Sequence, residues 1–204
     1  MDATQWDQRY ADRPLVWSAG PNQFLVGEVA GLPPGRALDL ACGEGRNALW
    51  LAEQGWQVTG TDFSPVAIDK ARQRAEQRGI DVAFRVADAT DTAPDGPYDL
   101  VIVFYLQLPA DQRRAAHRNA AAALAPGGTL VIVGHDRDNL ARGVGGPSSP
   151  ELLLSVDGVL ADLEGTGLQV ERAEQVTRDV EQEDGTEATA IDCIVRAVDG
   201  QEDT

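Results

Sequence analysis

The residues best suited to chemistry gather around one bend. From Ala37 to Ala52 the chain reads Ala-Leu-Asp-Leu-Ala-Cys-Gly-Glu-Gly-Arg-Asn-Ala-Leu-Trp-Leu-Ala. A short apolar run, bounded upstream by Pro33-Pro34-Gly35, gives way at Cys42-Gly43-Glu44-Gly45 to helical spacing, with Ala48, Leu51 and Ala52 recurring on one face. That pattern predicts strand, glycine turn, helix. Glycine permits backbone angles closed to other residues and lets a ligand lie against the main chain, while a helix start offers unpaired N–H groups to an anionic group. With the carboxylate of Asp39 inside the strand, the stretch has the makings of a nucleotide-type cofactor site at the carboxyl end of a parallel strand.

Two cofactor classes fit the bend. Gly43-Glu-Gly45-Arg-Asn-Ala48 satisfies the loose dinucleotide pattern G-x-G-x-x-G/A, with an acid, Asp62, at about the expected distance, which would suit an NAD(P)-linked oxidoreductase. Three further features favour another reading. Asp39 precedes the glycines, Asp88 follows a strand-like run at Phe84-Arg-Val-Ala-Asp88-Ala89, and Ala125-Pro-Gly-Gly128 precedes another at Thr129 to Gly134. In order and spacing, from about residue 36 to 136, these resemble the class I S-adenosylmethionine (SAM)-dependent methyltransferases.

The resemblance implies an α/β fold, a Rossmann-like doubly wound seven-stranded sheet of order 3-2-1-4-5-7-6 with strand 7 antiparallel, and SAM as cofactor. It also assigns roles. Gly43 and Gly45 would hold the methionine end, with Asp39 near its ammonium and Arg46 binding its carboxylate or orienting the turn. Asp62 would accept hydrogen bonds from the ribose hydroxyls, which its two oxygens suit, and Phe63 would pack on adenine. Asp88, or Asp91 in its place, would accept from the adenine amino group while the Ala89 N–H donates to a ring nitrogen. Phe104 and Tyr105 would line the methyl-transfer site, and His135, at the strand edge where a doubly wound sheet places its ligands, is the histidine to weigh as substrate contact or base. Trp6 and Tyr10 would belong to a lid over the cofactor.

Departures from the family's other branches narrow the acceptor. Enzymes that methylate amines of nucleic acids carry an Asn or Asp, two prolines and an aromatic after strand four; here that place reads Phe104-Tyr105-Leu106-Gln107. A formal net charge of −16 repels nucleic acid and anionic membrane alike. Arg46-Asn47 in place of a third glycine, together with Trp6-x-x-x-Tyr10, resembles the tellurite-resistance and thiopurine methyltransferase-like branch, which implies a small-molecule methyl acceptor, thiols and metalloid oxyanions among them. A SAM-binding module without catalysis remains a third reading. No metal is expected: Cys42 and Cys193 belong to no zinc spacing, and although Asp138-Asn139 resemble part of a catechol-type metal site, the acid expected after strand four is missing.

Positioning these residues requires one domain, which 204 residues suit. We expect an N-terminal helical lid over 1–32 that includes Trp17, a SAM-binding core over 36–136, a substrate-side loop and helix over 137–164, and a C-terminal hairpin over 165–198. Helices are expected over 22–32, 65–78, 109–125 and about 156–163, and strands over 56–62, 81–87, 100–104 and 129–134, with Ser64 and Pro65 opening the second helix as cap and first residue. His117, among Arg113, Arg114 and Arg118, is expected to face solvent. The start of the chain lacks the layout of a signal peptide and no apolar run reaches membrane-spanning length, so a cytoplasmic protein, monomeric or a small homo-oligomer, is the expectation.

Overall fold

The computed structural model describes residues 3–13, 15–16, 20–91, 96–182 and 185–200. Trp17, expected in the N-terminal lid, and residues 201–204 lie outside them. The chain opens with helices α1 (Ala3–Ala11) and α2 (Gln23–Glu28), then alternates β1 (Arg36–Leu40), α3 (Arg46–Glu53), β2 (Gln57–Asp62), α4 (Pro65–Arg78), β3 (Ala83–Val86), β4 (Tyr98–Phe104), α5 (Ala110–Ala122) and β5 (Leu124–His135). After α6 (Asn139–Arg142), a 3₁₀ turn at Pro150–Leu152 and α7 (Val156–Leu163), the hairpin β6 (Leu168–Glu181) and β7 (Glu187–Asp199) closes the chain.

The seven strands form one sheet of order β3-β2-β1-β4-β5-β7-β6, as expected. Strands β1 to β5 pair in parallel, and β7 inserts antiparallel between β5 and β6. Alternation along the central strands sorts side chains to two faces. Leu100 and Ile102 of β4 join Val131 and Val133 of β5 beneath α3 and α4, whereas Val101, Val103, Leu130 and Ile132 pack with Ala116, Ala120, Val159 and Leu163 beneath α5 and α7. Helices on both faces explain why β4 reads as a continuous apolar run. Among the described residues, no helix is long and apolar enough to cross a membrane.

Several boundaries differ from the sequence reading. Helix α2 ends at Glu28, four residues before Leu32, and the chain turns at Gly31 with φ of +86°. Helix α5 stops at Ala122, three residues before Ala125, and Pro126-Gly-Gly128, expected between the helix and the strand, is drawn into β5 because Leu124 already pairs with Tyr98 across an irregular register. The largest correction concerns His117. Residues 113, 116, 117 and 120 share the inward face of α5, and His117 is only 1% exposed, with Nδ1 3.1 Å from Asp162 Oδ2 on α7. Arg113 Nε donates to the same carboxylate at 2.6 Å, so a buried cluster pins α5 to α7 where a solvated helix face was expected.

Candidate active site

The turn after β1 is built from backbone that few residues tolerate. Ala41, Gly43 and Gly45 carry φ of +63°, +54° and +75°, which reverses the chain within five residues and starts α3 at Arg46. Asp62, at the carboxyl end of β2, ties the bend down: its Oδ2 accepts from the Gly43 N–H and its Oδ1 from the Ser64 N–H, each at 2.9 Å. Asp39, 1% exposed, accepts from the Ala48 N–H in the first turn of α3 at 3.1 Å. Burial raises both carboxyls against the pull of these N–H groups, Asp39 to about 7 and Asp62 to about 6.

These carboxylates open into a cavity of about 380 Å³. Its wall gathers Asp39, Gly43, Arg46, Asp62 and Phe63 on one side, Phe104, Tyr105 and His135 on another, and Trp6 and Tyr10 above. Four candidates, Gly45, Asp88, Ala89 and Asp91, lie outside the wall. Gly45 faces the protein: a Cβ there would stand 2.7 Å from Phe84 Cζ, so its missing side chain makes room for a ring in the core. Asp88 is exposed and closes its own turn, accepting from the Thr90 N–H and hydroxyl at 2.8 Å each, with Ala89 buried beside it.

The far wall holds an arrangement that sequence reading missed. Tyr105, a bulky residue at φ of +58°, leaves β4 with its N–H bonded to the Val133 carbonyl at 2.7 Å. Its hydroxyl donates to Asp192 Oδ2 at 3.0 Å, and Arg178 Nε donates to the same oxygen at 2.6 Å. His135 stands edge-on to the Tyr105 ring, centroids 4.9 Å apart, and its Nδ1 lies 3.2 Å from Asp192 Oδ1. Burial and the Asp192 carboxylate push the Tyr105 phenol up to about 12, so it stays a neutral donor. Asp192 sits directly across the ladder from His135 and Arg178 reaches over from β6. The alternating strands carrying them are visible in the sequence; the register that unites them is not.

The cavity roof is fastened to its floor. Trp6 and Tyr10 stack on α1 with centroids 5.6 Å apart. Lys70 of α4 holds the carbonyls of Tyr10 and Arg13 and, at 3.3 Å, the Glu44 carboxylate, while Asp7 accepts from the Ser64 hydroxyl. Asn22 caps α2 through its side chain, and its N–H donates to Asn47 Oδ1 at 2.8 Å. Among the described residues no group of three or more His, Cys, Asp or Glu could hold a metal ion.

Residues 37–128 match the model of a methyltransferase-domain family. The chain is 33% identical over 154 residues to the 2-heptyl-1-hydroxyquinolin-4(1H)-one methyltransferase of Mycobacteroides abscessus, covering 71% of this chain and 67% of that one. It is 44% identical over 104 residues to the demethylmenaquinone methyltransferase of Thermus thermophilus, where the match spans only 47% of the relative. Among solved structures, a protein of echinomycin biosynthesis, studied for the conversion of a disulfide bond into a thioacetal group, aligns with a TM-score of 0.77 at 28% identity over 98% of this chain and 93% of that one. TehB from Haemophilus influenzae aligns with a TM-score of 0.72 at 16% identity over 95% of this chain and 66% of that one, a likeness of fold alone.

Proposed function

The chain belongs to the class I SAM-dependent methyltransferases, and from that premise we propose that it transfers a methyl group to a small-molecule acceptor held between the glycine turn and the far wall of the cavity. The observation that carries this reading is the cavity itself, which joins two buried acids, Asp39 and Asp62, to the Tyr105 and His135 side chains. A SAM-type ligand fits these residues. Carboxyls raised by burial are complemented by a cationic ligand head, the Gly43 backbone admits close approach, and Phe63, Trp6 and Tyr10 offer ring surface for a heteroaromatic base. A volume of about 380 Å³ lies within the range that takes ligands of this size.

Bound there, SAM supplies a methyl made electrophilic by its sulfonium and displaced in line. The chain's own task is to hold the acceptor at attack distance and alignment, which alone is worth roughly 7–11 kcal/mol. Phe104, Leu106 and Leu108 give that part of the wall an apolar character, with Gln107, Arg178 and His135 as its polar points. This suits an acceptor with a flat apolar body and one ionisable edge, a description that also fits the hydroxyquinolinone named for the Mycobacteroides relative. Thiols and metalloid oxyanions, the acceptors of the branch that the glycine turn resembles, belong in the same screen.

Isothermal titration with SAM, S-adenosylhomocysteine and NADH tests the cofactor side. Binding of the first two without the third is expected; binding of NADH alone would return the chain to the oxidoreductase reading. An acceptor screen over thiols, phenols, N-hydroxyquinolinones, amines and metalloids tests transfer, and a chain that binds SAM yet methylates none of them would be a binding module. Sedimentation of the purified chain distinguishes a monomer from a small homo-oligomer.

A further inference from the structure

Asp192 is completely buried, and its two oxygens face different neighbours. Oδ2 is occupied by the Tyr105 hydroxyl and by Arg178, whereas Oδ1 has no hydrogen-bond partner although His135 Nδ1 lies 3.2 Å away, and that nitrogen is likewise buried and unpartnered. Both atoms are sealed from solvent, so each carries the desolvation cost of an unmade hydrogen bond unless it bonds to the other. A modest turn of the imidazole joins them. Gly146, at φ of +78°, lies against the face of the ring, where a Cβ would come within 2.8 Å of His135 Cδ2, 2.9 Å of Cγ and 3.1 Å of Nε2.

Resting on the methyl-transfer reading, we infer that Asp192 is a positioning residue that holds His135 as the Nδ1–H tautomer, leaving Nε2 as the base for an acceptor that must shed a proton from O–H or S–H. Fixing the proton on one ring nitrogen fixes the lone pair on the other. Arg178 and the Tyr105 hydroxyl pin Oδ2, so Asp192 has no freedom to swing away, and its charge remains available to the imidazolium that forms. The proton balance closes: the acceptor's proton passes to Nε2 as the oxygen–methyl or sulfur–methyl bond forms, the sulfonium sulfur keeps the electron pair of the bond it loses, and the imidazolium later yields its proton to water. Among the described residues, the titratable groups shown against His135 are Asp192 from β7 and Tyr105 at the end of β4, with Arg178 of β6 bound to Asp192 and Arg46 of α3 elsewhere in the cavity wall.

Two acceptors of different acidity separate this role from simple scaffolding. Phenol is still protonated at pH 8 and needs a base, whereas thiophenol is already a thiolate there and does not. With Asp192→Asn and with His135→Gln, each first shown by titration to bind SAM as the parent does, methylation of phenol should fall about 100-fold or more in kcat, the usual share of a general base, and that of thiophenol less than tenfold. Equal losses on both probes would overturn the inference. Nitrogen-15 spectra of the two imidazoles, assigned with His117→Gln, give a readout free of activity: His135 should show the Nδ1–H form in the parent and lose it in Asp192→Asn, and an Nε2–H form in the parent would refute the assignment. Should the parent bind SAM and methylate neither probe, the transfer reading falls for these acceptor classes while the spectra still decide how Asp192 holds the ring.

Discussion

The Glu44 carboxylate accepts a hydrogen bond from the Val16 N–H at 2.9 Å, which fastens the N-terminal segment to the same turn that floors the cavity. Glu44 is only 1% exposed and also meets Lys70 Nζ at 3.3 Å, so roof and floor share one buried acid. Removing residues 1–19 takes away Trp6, Tyr10, this fastening and the contacts of α1 with α4, while the strands and helices of the core keep their contacts with one another. SAM affinity should drop about tenfold or more, the scale of a lost aromatic stack of roughly 0.5–1.5 kcal/mol with its burial, and the thermal midpoint of the remainder should change little. Undiminished affinity in calorimetry would remove the lid from the cofactor's surroundings.

Under the proposed assignment, Asp39 and Asp62 should make cofactor binding depend on pH. In the free protein their carboxyls sit near 7 and near 6, raised chiefly by burial, so both are largely protonated at pH 5. A cationic ligand binds the ionised forms and must displace those protons. Affinity for SAM should therefore climb by up to 100-fold per pH unit below about 6, where both protons are displaced, by up to tenfold between about 6 and 7, and level off above 8. Asp39→Asn should flatten the upper part of that rise. The free protein behaves in the opposite sense: a raised carboxyl stabilises the fold below its unfolded value near 4, and that contribution fades as pH climbs through 6 to 7. A pH series of Kd values, paired with thermal melts with and without ligand, tests both signs.

How far the sequence disclosed this molecule depends on how local each feature is. The turn around Gly43, the cap at Ser64 with Pro65 and the apolar run of β4 each draw their signal from neighbouring residues, and much of the element order followed from them, while the order of the sheet came from the family resemblance. His117 was misplaced because its arginine neighbours suggest a solvated face, while the carboxylate that buries it lies on α7. Asp192 and Arg178 went unnoticed because an acid and a base on alternating strands look like ordinary exposed positions until β7 inserts beside β5 in one register. Gly45 was read with the cofactor because glycines in such a turn look alike, yet its neighbour in space is Phe84, 39 residues on in the chain.

Asp162 is fully buried beneath cations from α5, and losing it should cost more than any surface ion pair. Burial alone would raise its carboxyl, but hydrogen bonds from His117 and Arg113 outweigh that and hold it at about 2. Asp162→Ala leaves Arg113 charged, nearly buried and without this partner, which costs about 3–5 kcal/mol. The stabilisation from a depressed carboxyl is present above pH 4 and disappears as pH falls through 2, so the difference between parent and variant in urea melts should shrink in acid. Equal stability at pH 7 would show that the cluster does not pin α5 to α7.

Gly45 separates the demands of packing from those of the ligand. Two costs meet in Gly45→Ala: a φ of +75°, which disfavours any Cβ by roughly 1–2 kcal/mol, and the Phe84 ring 2.7 Å from where that Cβ would stand. A well-packed ring that must shift adds about 1–3 kcal/mol. The urea midpoint should fall accordingly with an unchanged slope. Phe84→Leu in the same background relieves the collision and leaves the backbone strain, so the two substitutions together should destabilise less than the sum of each alone. Because Gly45 is absent from the cavity wall, SAM affinity measured well below the unfolding midpoint should change less than tenfold. A large loss of affinity without loss of stability would instead place Gly45 among the groups that touch the cofactor, and would show that Phe84 gives way more easily than its closeness to Gly45 implies.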